Sequence, residues 1–211
     1  MKVTTLIDSV FLWVSKYRNQ LMTVLLTIIW IVVALIVIGG YSTAVEDSNS
    51  ISFYRLARES GEYAAVLFIL VSIPGIARRF QYSHKLIMIL MMFRRQLGVL
   101  MYLFVLVHAL ILRIIPWVTQ QIPVVVEPFV LVGSMANMLL FALFVTSNDW
   151  SVKKFGDWWN KIQRLMYIIV WLIFIHLALN GLSIWTILIG STSIIQLASH
   201  LYATQRLKSL N

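Results

Sequence analysis

FRRQLGVLMYLFVLVHALILR, residues 93–113, decides how the rest of the chain is read. Two arginines and a glycine lead into an apolar run long enough for a membrane helix, and the run carries a histidine, His108, where hydrocarbon tolerates few ionisable groups. A second stretch echoes it. In FGDWWNKIQRLMYIIVWLIFIHLALN, residues 155–180, a basic and polar foot again precedes an apolar run with one histidine, His176.

The whole chain supports a membrane reading of both stretches. Of its 211 residues 60% are hydrophobic, well above the roughly 45–50% of soluble domains. Cysteine is absent, which excludes disulfides, thiolate metal sites, iron–sulfur clusters and covalent c-type heme attachment. A spanning helix needs roughly 20 apolar residues. Candidate spans are 21–39, 62–77, 97–115, 129–146, 162–179 and 182–202. The expected fold class is therefore an all-α bundle of six transmembrane helices. Residues 1–20 form an amphipathic lead-in, with Val10, Phe11, Val14 and Tyr17 on one face. Residues 21–202 form the single transmembrane domain and 203–211 a short cytoplasmic tail. The run 21–38 exceeds a signal-peptide core and is followed by only a weak cleavage site, so it reads as a retained anchor. Pro74-Gly75 is expected to break the second span near its end. Pro116, Pro123 and Pro128 mark a non-helical loop, and Asn180-Gly181 makes spans five and six antiparallel neighbours.

The net charge of +9 is compatible with nucleic acid or with a membrane protein's inner loops, and its distribution decides. With the N-terminus inside, segments 1–20, 78–96, 147–164 and 203–211 hold all but Arg55, Arg58 and Arg113 of the 17 basic residues. The outer segments instead carry Glu46, Asp47, Glu59, Glu62 and Glu127. This is a positive-inside pattern with both termini inside, and it argues against a nucleic-acid partner. The expected setting is the plasma (inner) membrane, with lipid as the solvent of the outer bundle surface. No soluble stretch is long enough for a nucleotide-binding domain, so any electron donor is another molecule.

Helix rise sets the depth of the two histidines. His108 lies 13 residues beyond Arg95, and His176 lies 13 beyond Gln163 on a helix running the same way. At 1.5 Å per residue both imidazoles sit roughly 18–20 Å above the inner foot, in the outer half of the bilayer. Two parallel helices presenting imidazoles at one depth suit two axial ligands of a heme iron, with electron transfer favoured over oxygen binding. A proton relay would recruit an acidic partner, and neither helix interior has one. The competing reading is a cofactor-free transporter or scaffold whose histidines bond helices together. His84 reads as a solvated or headgroup-facing residue, and His200 as interfacial or, secondarily, as an inner-leaflet ligand.

Arg94-Arg95-x-Leu97-Gly98 followed by His108, Thr146-Ser147, Phe155-Gly156-x-x-Trp159-x-x-Ile162-x-Arg164-Leu165-x-Tyr167, and then His176 resemble a known pattern, with Gly61 and Pro74 also in place. The pattern is that of the ferric-reductase-like transmembrane domain, and within it of the heme-binding membrane subunit (YedZ/MsrQ type) of methionine sulfoxide reductase systems. The resemblance covers about residues 55–180. It implies six helices, b-type heme and electron passage across the membrane, with His108 and His176 as the outer heme ligands. On that reading electrons are expected from an inner-side flavoprotein reductase or the quinol pool, and are expected to leave at the outer face to a partner reductase, a metal ion or a small oxidant. Relatives place a further histidine at the foot of the fifth span, where this chain has Gln163, and the third span offers Arg95. Neither is a serviceable iron ligand. One heme is therefore expected, with Gln163, Arg95 and Arg164 left to a quinone, a flavin phosphate or lipid headgroups. Arg113, five residues above His108, is either a partner for a heme propionate or a snorkelling cation.

Overall fold

In a computed structural model the described residues are 3–46, 51–114 and 127–209, and all their regular structure is helical. The helices are α1 (Val3–Lys16), α2 (Arg18–Glu46), α3 (Ile51–Arg79), α4 (Lys85–Ala109), α5 (Pro128–Val145), α6 (Asp149–Phe155), α7 (Asp157–Gln163), α8 (Met166–Asn180) and α9 (Ile184–Ser209). Among the described residues five segments are long and apolar enough to cross a membrane: Arg55–Arg79, Lys85–Arg113, Pro128–Val145, Asp157–Asn180 and Ile184–Ser209. They match five of the six expected spans. The expected first span falls in α2, whose described apolar stretch, Arg18–Val32, is shorter. Pro116 and Pro123 lie outside the described residues.

The five long helices close a ring. Helix α3 packs on α4, α4 on α5, α5 on α8, α8 on α9, and α9 back on α3. Phe68 and Val71 of α3, Met101 and Tyr102 of α4, Leu140 and Leu143 of α5, Met166, Ile169 and Val170 of α8, and Ile189 of α9 share one buried core. The polarity is that of a membrane bundle, as α9 shows. Ser193 is fully buried while the adjacent Ile194 is 63% exposed, because small hydroxyl residues let helices approach and large apolar ones suit lipid. Helices α1 and α2 pack against α4. The lead-in is thus docked as well as amphipathic, with Asp8 of α1 paired to Lys85 at the start of α4.

Local chemistry sets the helix ends. The expected break at Pro74-Gly75 does not occur, and α3 continues to Arg79. A proline removes one backbone donor, which a long membrane helix tolerates, and Pro74 is held fully buried. His84 caps α4, its Nδ1 accepting from Leu86 N at 3.3 Å, and its ring stacks on Tyr82. Pro128 opens α5 at a position where no amide donor is needed. The foot of the fifth span folds into α6 and α7, capped by Asn148 and tied down by Trp159 Nε1 donating to Thr146 O at 2.9 Å. Gly181, at φ +133°, makes the tight turn from α8 to α9 that Asn180-Gly181 announces. Helix α9 runs on through most of the expected tail, to Ser209.

Candidate metal centre

His108 and His176 stand on α4 and α8, which both flank α5 in the ring. Each ring is held by the same pair of contacts. His108 Nδ1 lies 2.8 Å from the carbonyl of Ala57 in α3, and His176 Nδ1 lies 2.7 Å from the carbonyl of Phe129 in α5. A carbonyl only accepts, so Nδ1 carries the proton in both rings. In a neutral imidazole this leaves the Nε2 lone pair free, the arrangement that metal-binding histidines use. Neither Nε2 has a hydrogen-bond partner among the described residues.

Each ring also lies on a glycine four residues beyond its carbonyl. A Cβ on Gly61 would stand 2.8 Å from His108 Nδ1, and one on Gly133 would stand 2.6 Å from His176 Nδ1. One helical turn places the carbonyl of residue i and the Cα of residue i+4 on one face. A carbonyl with a bare Cα above it therefore makes a seat for an imidazole, and it occurs in both helix pairs, α3–α4 and α5–α8. The sequence reading noted Gly61 but missed Gly133, Ala57 and Phe129. A glycine inside an otherwise apolar helix was the available signal for Gly133.

At its C-terminal end α4 passes into a π-helical turn, Leu110–Ile114, which contains Arg113. Such turns interrupt the regular ladder and cluster at functional sites. The Arg113 guanidinium lies 5.7 Å from the centre of the Phe129 ring, which is 5.9 Å from the His176 ring. A cation from the His108 helix thus stands over the residue that seats His176.

The feet of the two histidine helices are less alike. Arg95 turns outward to Asp149, with Nη1 2.6 Å from Oδ1, and this contact holds the Asp149 carboxyl below its usual range. Arg164 is exposed. Gln163 points the other way, into a cleft of about 30 Å³ lined by Ser72, Gly75, Arg79, Arg94, Met166, Tyr167 and Gln196. Its Nε2 donates to Thr146 Oγ1 at 3.4 Å. The structure therefore brings Gln163 together with Arg79 and Arg94, and separates it from Arg95. Tyr102, Phe104 and Phe174 pack on Phe144, Tyr63 and the Gly190 backbone respectively.

Among the described residues no three His, Asp or Glu side chains converge on one point. A bare ion would find too few donors here, whereas a porphyrin iron brings four and needs two imidazoles. The fold and the two seated imidazoles define the class: a bundle with five membrane-length helices that carries one carbonyl-bound histidine on each of two helices flanking α5.

The family model described as "Ferric reductase like transmembrane component" matches residues 60–174, more than half of the chain. The chain belongs to the ferric-reductase-like transmembrane family, and it is a multi-pass membrane protein. Within that family it is similar to "Protein-methionine-sulfoxide reductase heme-binding subunit MsrQ" of Rhizobium meliloti, at 37% identity over 93 residues, 42% of this chain and 43% of that one. The subunit of the same description from Brucella anthropi is 30% identical over 82 residues, 37% of each chain. The Brucella ovis protein is 29% identical over 85 residues, 38% of this chain and 39% of that one. The matches thus span less than half the length of these curated relatives. No solved structure matches the chain.

Proposed function

We propose that this protein is a membrane b-type cytochrome that relays single electrons as the heme-carrying subunit of an oxidoreductase system. His108 and His176 hold one heme near the outer face through Nε2. The observation that carries this reading is the repeated seat: two imidazoles with Nδ1 committed to helix carbonyls at 2.8 and 2.7 Å, each on a glycine. Bound there, the heme supplies one-electron chemistry at iron. The chain's own part is to fix the tautomer of both imidazoles, keep their rings in place and exclude water with the apolar ring. Arg113 stands at the outer rim, where its charge suits a propionate. The positive-inside distribution supports six spans with both termini inside, and the plasma (inner) membrane as location. Electrons enter from an inner-side flavoprotein or a quinol, with a quinone or flavin as second cofactor at the inner face. They leave to a reductase partner outside. Arg95 and Arg164, on the inner surface, face headgroups or the donor.

The histidine–carbonyl bonds also favour a second reading, a cofactor-free scaffold or transporter in which they simply join helices. Oxidised and reduced absorption spectra of the purified protein, expressed with ample heme, separate the two. The cytochrome reading expects a Soret band that shifts on reduction and one heme per chain. A chain without Soret absorption under those conditions overturns the cytochrome reading.

A further inference from the structure

The cleft at the inner end of the ring contains an imbalance that the heme reading does not use. A Cβ placed on Gly75 would lie 3.9 Å from Arg79 Nη2 and 3.9 Å from Arg94 Nη2. The two guanidiniums therefore share one patch of bare backbone, no farther apart than twice that distance. Like charges this close repel, most strongly where water is thin. The three ion pairs among the described residues, Arg58–Glu62, Lys85–Asp8 and Arg95–Asp149, all lie elsewhere.

The two arginines are held differently. Arg79 is fixed, donating to Ser199 Oγ at 3.0 Å and to the Tyr167 hydroxyl, with its plane 5.0 Å from the Tyr167 ring centre. Arg94 makes no hydrogen bond or ion pair among the described residues. Behind them Gln196, only 5% exposed, lines the same cleft with an Oε1 that has no partner. A buried amide without a partner is unfavourable unless something else enters. The cleft's 30 Å³ admits about two water-sized groups, since one probe sphere takes about 10–15 Å³. Two oxygens facing two guanidiniums, with an amide behind that accepts or, turned over, donates, is the recognition pattern of a phosphoryl oxyanion.

We propose that Arg79, Arg94 and Gln196 form an oxyanion site for a phosphoryl group at the inner end of the bundle. The basic segments that flank the cleft put its mouth at the inner interface, where lipid phosphates lie. An inner-leaflet phospholipid is one source of that group, and a free phosphate is the other. The site is independent of the heme, whose content is read separately by absorbance.

The test compares the full-length protein with its Arg94→Gln variant, and with Lys208→Gln as a surface control. Arg94 is chosen because Arg79 also bridges helices. Each is placed in phosphatidylcholine nanodiscs, with and without phosphatidylglycerol, and separately titrated with inorganic phosphate. Thermal midpoint and native mass spectrometry are the readouts. A raised midpoint and retained phosphatidylglycerol, weakened about tenfold in Arg94→Gln and unchanged in Lys208→Gln, support the site with lipid as its source. The same contrast with inorganic phosphate supports it with free phosphate as its source. Equal responses of the two variants, or no response to either probe, overturn the proposal.

Discussion

The histidine end and the basic end of this bundle are built on the same two membrane-length segments, Lys85–Arg113 and Asp157–Asn180, to opposite effect. At the histidine end α4 and α8 present matched imidazoles, each on a carbonyl and a glycine of a neighbour. At the basic end the equivalent residues part: Arg95 of α4 leaves the ring for Asp149, while Gln163, the last residue of α7, enters a cleft beside Arg79 and Arg94. The cleft is narrowed by Arg79, which draws α3, α8 and α9 together through Tyr167 and Ser199. Similar sequence context is therefore not similar site. What makes the outer pair equivalent is the shared geometry of their partner helices, and no such sharing exists at the feet.

The comparison breaks most sharply at the ligands. His108→Ala and His176→Ala should each abolish the Soret band in a protein that still inserts, whereas His84→Ala, a helix cap, should leave it intact. Full heme in both ligand variants would remove the outer site from consideration. The seats come next. Gly61→Ala and Gly133→Ala place a methyl 2.8 and 2.6 Å from Nδ1, so each ring must shift. Overpacking of this kind costs about 1–3 kcal/mol. Both variants should show lower heme occupancy and an altered midpoint potential by redox titration, and an unchanged potential would reduce the glycines to packing residues.

The basic end should respond in stability rather than in heme. Arg79→Met removes hydrogen bonds to Tyr167 and Ser199 and should destabilise the fold by about 1–3 kcal/mol. The thermal midpoint should fall while the Soret band per folded protein stays constant. Loss of heme in step with Arg79 would mean that the two ends are coupled. The smallest effect belongs to the exposed pair Arg95–Asp149. Because its folded carboxyl titrates below the unfolded one, the pair contributes above the unfolded pKa and is lost as pH falls through the folded value. Asp149→Asn should therefore change stability only slightly at neutral pH, and the difference should vanish in acid. A larger gap below pH 4 than at pH 7 would contradict that assignment.

Much of this was legible in one dimension. Continuous apolar runs located five membrane-length helices, because a chain in hydrocarbon must satisfy every backbone group within its own helix. Their ends were missed by up to 12 residues, as at Lys85, where the expected span began at 97. Overestimating Pro74 was the local error, since tertiary burial overrides a single lost donor. His108 and His176 stood out because an ionisable group in such a run is costly enough to need a reason. The seats did not stand out. Ala57 and Phe129 contribute only backbone oxygens, which every residue has.

The sequence alone thus determined a membrane bundle, the gathering of basic residues in short segments between its spans, and the two histidines as the residues to explain. Tertiary structure decided which way each side chain turned. Arg94 and Arg95 are adjacent in sequence, and so about 100° apart around α4. Helix rotation, set by packing against α3 and α5, sends one to the cleft and the other to Asp149. The same rotation lays two imidazoles on two glycines, and that registry is a property of helix pairs that no single helix carries.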